Sequence, residues 1–457
     1  MVFSVHSLYL VVIILVLIYQ TSQYISYLQS NFAPVPCIYL VLNSISSANK
    51  RAKYAYINNL ISGLENTDGI FARIPEEIMS MYNGLREDFE IGLGATRTEF
   101  GLAIGIQMLF WGAFAPIFGL IADKLGGNKA VFIGFIIFGL GVYMLYAGPN
   151  TGIFFQISLG VLVGIALGAT AIGVPVSEVG KHFPNESRTI ATGIVTAAAS
   201  VGYFLSPLFT KYSLGIVGWE QTLKYFMYFI ALGLLASLFL LPSKTILNSS
   251  QADRDQTFTS AIKEAFSHKG YVLLVLGFFV CGFQITLVGT HIPGYMQDRG
   301  MGGWSATIIL ALIGFFNIFG TLGMGYLGTK YKKKNLLSIL YSLRALSICF
   351  FIFSPPSMLN SIIFGVTFGL LWLSTVPPTN GIVAQIFGTK YLSTLFGIVF
   401  LCHQFGAFAG AFLGGYFFDT FGSYDYAWYM AIGLSIFATF VHYPIDETRL
   451  VRVDNTL

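Results

Sequence analysis

Gly119-Leu-Ile-Ala-Asp123-Lys124-Leu-Gly126-Gly-Asn-Lys129 is a short charged turn set between two long apolar runs. One membrane crossing ends where it begins and the next starts where it ends, so the rest of the chain can be placed relative to it. Both flanks are too apolar for a soluble protein. Of the 457 residues, 55% are hydrophobic and 10% charged, with 50 Gly and 43 Phe. A soluble domain carries about 25% charged residues, so this chain could not cover its own surface in water. It reads as an all-α polytopic membrane protein.

Outward from the turn, eleven candidate spans can be marked: Gly101–Ala122, Ala130–Tyr146, Ile153–Val176, Thr189–Phe209, Leu223–Leu241, Tyr271–Ile292, Ala306–Leu327, Leu336–Phe353, Leu359–Ile382, Leu392–Phe417 and Tyr426–Tyr443. The runs are continuous and long, and each backbone amide in lipid must be satisfied within its own segment, so helices are expected rather than barrel strands. A twelfth run, Leu8–Tyr19, lacks a basic flank and a small-residue cleavage site. It is read as a retained first helix rather than a signal peptide. From Thr21 to Phe100 the chain is charged, and no window is apolar over the roughly 18 residues a span needs. The expected organisation is an atypical N-terminal region (1–95) with a membrane helix at 8–19, a helical bundle (96–242), a linker (243–269), a second bundle (270–445) and a tail (446–457).

Charge sets the sidedness. Alternate connections carry Lys124 and Lys129, then Lys181 and Arg188, then Lys330, Lys332, Lys333 and Lys334, then Lys390. The opposite set carries only Lys211, Lys224 and Arg299. The basic set, with the charged turn, the linker and the C-terminus, is therefore expected in the cytoplasm. The net charge of +4 reflects this topology rather than affinity for nucleic acid. The four cysteines (Cys37, Cys281, Cys349, Cys402) have no metal-like spacing. There is no G-x-x-x-x-G-K-[ST] phosphate loop and no nucleophile–base spacing. No catalytic residue, metal, cofactor or nucleotide is expected. The expected partners are the lipid bilayer and a small organic solute, with a coupling proton or counter-anion.

An internal repeat divides the chain. Gly193-Ile-Val195 followed by Gly202 recurs as Gly397-Ile-Val399 followed by Gly406, an offset of 204. Gly160 and Gly164 correspond to Gly365 and Gly369 at 205, and Gly119 to Gly325 at 206. Two related halves around a central site is how many secondary transporters are built.

The turn has the form Gly-x-x-x-Asp-Arg/Lys-x-Gly-x-x-Lys/Arg, matched by Gly119, Asp123, Lys124, Gly126 and Lys129. In this it resembles the signature of the major facilitator superfamily, over residues Asn83–Glu447. The segments Cys281-Gly-Phe-Gln-Ile285, Thr290-His-Ile-Pro293, Leu371-Trp-Leu-Ser-Thr-Val-Pro377 and Gly397-Ile-Val-Phe400 are similar to bacterial relatives of the monocarboxylate porters. The resemblance implies a twelve-helix fold of two pseudo-symmetric six-helix bundles, with an atypical or displaced first helix, in the cell membrane, here a bacterial inner membrane. It implies secondary active transport of a small organic solute, a monocarboxylate-like anion, by alternating access. It further implies that Asp123 and its basic neighbours latch the halves on the cytoplasmic side; alternatively, the charges only enforce topology. The counterpart Gly325-Tyr-Leu-Gly-Thr-Lys330 has no acid, so the latch is expected to be one-sided. The Asp and Arg that eukaryotic monocarboxylate porters carry in the eighth helix are replaced by Asn317 and Thr321.

Arg344 is the only basic residue deep within an expected span. Nine residues beyond Asn335, it lies about 13 Å into a roughly 30 Å core. A buried guanidinium marks a functional site by default, and gripping a carboxylate is its natural role. The other reading is that it bonds carbonyls freed where Pro377 and Pro378 interrupt a neighbouring helix. No Asp or Glu lies mid-span, which leaves histidine as the titratable candidate. His403 is central in its span and reads equally as a proton site or as a neutral ring bonded to a carbonyl, whereas His291 reads as the latter. Gln107, Gln284 and Asn317 complete the expected substrate set. A non-transporting membrane sensor with the same fold is the competing class.

Overall fold

In the computed structural model the described residues are 97–147, 156–238, 256–301 and 303–450. The helix expected at Leu8–Tyr19, the remainder of 1–95, residues 243–255 of the linker and the end of the tail lie outside them. The described chain is helical, and nine of its helices are long and apolar enough to cross a membrane.

Helix α1 (Arg97–Leu125) and α2 (Gly127–Ala147) flank the charged turn. Gly126 makes that turn with φ of 100°, a left-handed conformation that disfavours any side chain. A π-helical stretch, Gln156–Val163, runs into α3 (Gly164–Thr170), followed by α4 (Gly173–Lys181) and α5 (Asn185–Ser237). A short helix, α6 (Phe258–Ser267), precedes α7 (Lys269–Asp298), α8 (Gly303–Lys330) and α9 (Lys333–Phe353). Then come α10 (Met358–Leu371), α11 (Val376–Phe387), α12 (Leu392–Phe421) and α13 (Asp425–His442).

Helical backbone is continuous over the 53 residues of α5, where two spans were expected. It is not a straight rod. The Ser213 and Thr222 hydroxyls are 2.7 Å apart, and the Phe209 ring lies 6.0 Å from Phe226 and 5.7 Å from Phe229. Along a straight helix Phe209 and Phe226 would be separated by about 25 Å. The chain therefore doubles back near 213–222, and the two expected spans are its two arms.

Two other expected spans are interrupted. Ile153–Val176 breaks at Ala171–Ile172, and Leu359–Ile382 breaks at Trp372–Thr375. Proline explains both. Pro175 lacks the N–H that would reach the Ala171 carbonyl, and Pro377 and Pro378 withdraw the donors for Leu373 and Ser374. Each proline falls in the first turn of the following helix, where its missing donor is harmless. The repeat thus extends to a shared defect.

Helix contacts repeat too. A Cβ on Gly164 would lie 2.8 Å from the Gln107 carbonyl oxygen, and one on Gly369 would lie 2.9 Å from the Ile313 Cα. Gln107 and Ile313 are 206 positions apart, matching the glycine offsets. Two seams join the halves. In one, α1 lies on α12, with Gly119 against the Ser393 backbone, Gly397 against Pro116 and Gly112 against Gln404. In the other, α5 lies on α8, with Gly193 against Gly325 and Gly314 against Phe204. Small residues let the backbones close to this distance.

Candidate functional site

The charged turn ends at the start of α12. Asp123, whose side chain is fully buried, accepts from the Thr394 N–H at 2.7 Å, the Thr394 hydroxyl at 2.5 Å and the Ser393 N–H at 3.3 Å. These amides belong to the first turn of α12, whose N–H groups have no partner within the helix, so a carboxylate from the opposite half caps it. Lys181, from the end of α4, places its Nζ 2.6 Å from Asp123 Oδ1 and also bonds Glu178. Glu178 Oε1 accepts from the Ser393 hydroxyl at 3.1 Å.

The expected basic neighbours occupy other places. Lys124 and Lys129 are exposed, and Lys124 lies over the Phe258 ring at 5.9 Å. Lys181, which is distant in sequence, takes the position beside the acid. Deeper along the interface, Asn380 of α11 donates to the Ser177 hydroxyl of α4 at 3.1 Å. Asn317 of α8 donates to the Ser200 hydroxyl of α5 at 2.8 Å. Polar connections therefore cross between the halves at the Asp123 and Glu178 carboxylates, which take donors from the start of α12, and at the neutral pairs Asn380–Ser177 and Asn317–Ser200.

Inside the second half, Arg344 is fully buried. Its Nε donates to the Leu371 carbonyl at 3.1 Å, and its Nη2 to the same carbonyl at 2.7 Å and to the Trp372 carbonyl. Nη1 donates to Gln284 Oε1 at 3.2 Å, and Nη2 lies 3.6 Å from the Cys281 sulfur. The guanidinium sits 5.3 Å from the Tyr341 ring centroid and 5.9 Å from that of Phe368. Carbonyls and aromatic faces thus surround the charge.

Gln284 points away from the seams, donating to the Ala431 carbonyl at 2.9 Å and to Ser435. His403 is buried between Phe278 and Phe400, each 4.9 Å from its ring, with Nδ1 2.9 Å from Gln404 Oε1. His291 meets the Ala411 carbonyl at 2.7 Å. Gln107 is buried on α1 where α3 crosses it. The structure thus brings Arg344 and Gln284 together, sets His403 against the same Cys281 sulfur that Arg344 meets, and places Asn317 on the Leu373 N–H beside the carbonyls Arg344 holds, with Gln107 apart from them on α1.

Lys181, Ser393 and Thr394 went unforeseen. The pair Ser393-Thr394, opening an apolar run just after Lys390, is the signal that could have marked a helix start in need of a cap.

A membrane-spanning all-α chain with repeated halves, paired helix breaks and a capped seam defines a transporter-type architecture. Residues 70–411 match the Major Facilitator Superfamily. The chain belongs to that family. Among its relatives is the uncharacterized MFS-type transporter YcxA of Bacillus subtilis, 25% identical over 346 residues, covering 72% of this chain and 81% of the relative. Monocarboxylate transporter 13 of Rattus norvegicus is 22% identical over 345 residues, covering 74% and 77%. The crystal structure of the human organic anion transporter MFSD10 shares the fold, with a TM-score of 0.66 at 14% identity, covering 96% of this chain and 99% of that one.

Proposed function

We propose that this protein is a secondary active transporter that moves a small organic solute, of the monocarboxylate-like anion class, by alternating access. The observation that carries the reading is the nature of the closure between the halves. Asp123 on α12, Ser177 with Asn380, and Ser200 with Asn317 are bonds that can part without unfolding either half. On this reading the charged turn, the linker and the tail face the cytoplasm of a bacterial cell, and the form described is closed on that side. The anion class is supported by what its relatives are named for, a monocarboxylate transporter and an organic anion transporter.

Gln107 and His403 are assigned to the solute path, with Arg344, Gln284 and Asn317 behind it. Among the described spans no carboxylate lies at mid-depth, so His403 is the group that takes a coupling proton and offsets the charge of the anion. The test is net uptake of lactate, pyruvate and acetate into proteoliposomes down a solute gradient while internal pH is recorded, with counterflow measured separately. At least one acid should enter with a pH change, and His403→Gln should abolish that proton-coupled net uptake while sparing counterflow exchange. A protein that moves no solute under any ion gradient overturns the reading.

A further inference from the structure

The break between α10 and α11 is held from two sides. In a continuous helix the Trp372 carbonyl would take the Val376 N–H, but that N–H turns to the Leu373 carbonyl at 3.0 Å. Arg344 takes the Trp372 carbonyl instead, and the Leu371 carbonyl with it. On the other side the freed Leu373 N–H donates to Asn317 Oδ1 at 2.8 Å. The same Asn317 side chain donates to Ser200, in the first half. One unwound turn thus lies between a buried cation and a hydrogen bond to the opposite half.

Among the described residues, no arginine or lysine stands at the corresponding place beside the break in the first half. Phe138 and Gly139 stand 206 and 205 positions before Arg344, and Thr170 turns its hydroxyl back to the Ala166 carbonyl at 2.9 Å.

We propose that Arg344 is a positioning residue. It keeps Leu371–Leu373 unwound so that the Leu373 amide is presented to Asn317, and Asn317 transmits the state of the break across the seam to Ser200. Solute that rewinds or displaces this turn then loosens the α5–α8 seam, and opening that seam releases the turn. The inference deepens the alternating-access reading and rests on it. Without the guanidinium two carbonyls lose their buried donors, and the turn rewinds or hydrates; either outcome withdraws the Leu373 amide from Asn317.

The test is hydrogen–deuterium exchange on the full chain in lipid nanodiscs, read on peptides covering 365–380 and, for the first-half break, 164–180. It needs no solute, so its failure is separate from a failure to transport. The second-half break should exchange more slowly than the first in the parent protein. Arg344→Met should speed exchange at 365–380 by about tenfold or more, as expected for losing a charged hydrogen-bond donor, and leave 164–180 unchanged. Arg344→Lys, which keeps the charge but not the forked geometry, should fall between and covers the case where the Met variant fails to fold. The decisive variant is Ser200→Ala, which touches neither Arg344 nor the break. It should speed exchange at 365–380 severalfold, and its combination with Arg344→Lys should be less than multiplicative. An arginine that only stabilises its own half would leave 365–380 unmoved by Ser200→Ala, or give purely multiplicative effects, and either result overturns the proposal.

Discussion

At the end of α1, Asp123 caps the opposing helix α12 and pairs with Lys181. At the equivalent end of α8, 206 positions on, Thr329 stands in the place of the acid, and its hydroxyl bonds the Tyr326 carbonyl of its own helix. Across that seam Thr189, the counterpart of Thr394, keeps a buried hydroxyl with no hydrogen-bond partner. The helix breaks show the reverse distribution: the second is held by a cation, and among the described residues the first has none beside it. The glycine contacts are nearly the same in both halves, so the repeat conserves how backbones approach and divides the charges. One half carries the capping acid and the other carries the buried arginine.

The largest expected effect comes from removing what the first half alone possesses. Asp123→Ala leaves two first-turn amides of α12 uncapped and Lys181 with Glu178 as its remaining acid. Breaking a buried ion pair from one side costs about 3–5 kcal/mol, so the melting temperature in detergent should fall strongly. A shift no larger than that of a surface variant would remove the latch from the comparison.

The next effect should be equal in both halves. Gly119→Val and Gly325→Val drive a side chain into the Ser393 and Thr189 backbones respectively, where a Cβ would approach to 2.5 Å of the Ser393 carbonyl oxygen and 2.9 Å of that of Thr189. Overpacking of this kind costs about 1–3 kcal/mol. Matched losses in chemical-denaturation midpoints would support the symmetry of the seams, and a loss in one alone would break it.

The smallest effect should be a gain. Thr329→Asp returns an acceptor to the Thr189 hydroxyl and should stabilise the protein by about 0.5–1.5 kcal/mol, seen as a rise in melting temperature. A fall would mean that the second turn does not approach Thr189 as the first approaches Thr394.

Most of the architecture was legible from apolar runs, and the repeat from three glycine offsets. Hydropathy sees length and composition, so it read Ile153–Val176 as one span and could not register Pro175 as a break. Two adjacent prolines at 377 and 378 were a stronger sign. The acid of the latch was legible because its neighbours in sequence form a motif. Its actual cation, Lys181, was not, because α4 brings it there from 58 positions away. Arg344 stood out by charge alone. Its partners did not, since backbone carbonyls carry no residue identity, and the two it takes, of Leu371 and Trp372, precede those that Pro377 and Pro378 free.

The burial of Arg344 also bears on how the protein is made. In sequential insertion its helix, α9, reaches lipid ahead of α10, and an arginine at mid-span raises the free energy of insertion by about 2.5–3.5 kcal/mol. The earlier helix α7 offers Gln284 and Cys281, but the two carbonyls that take most of its donors arrive with the next segment. Membrane integration of α9 is therefore expected to be incomplete when it is translated as the last segment and to reach completion once the chain extends past Thr375. Glycosylation-tagged truncations ending before and after that residue would separate the two cases, and equal integration in both would show that α9 needs no help from its successor.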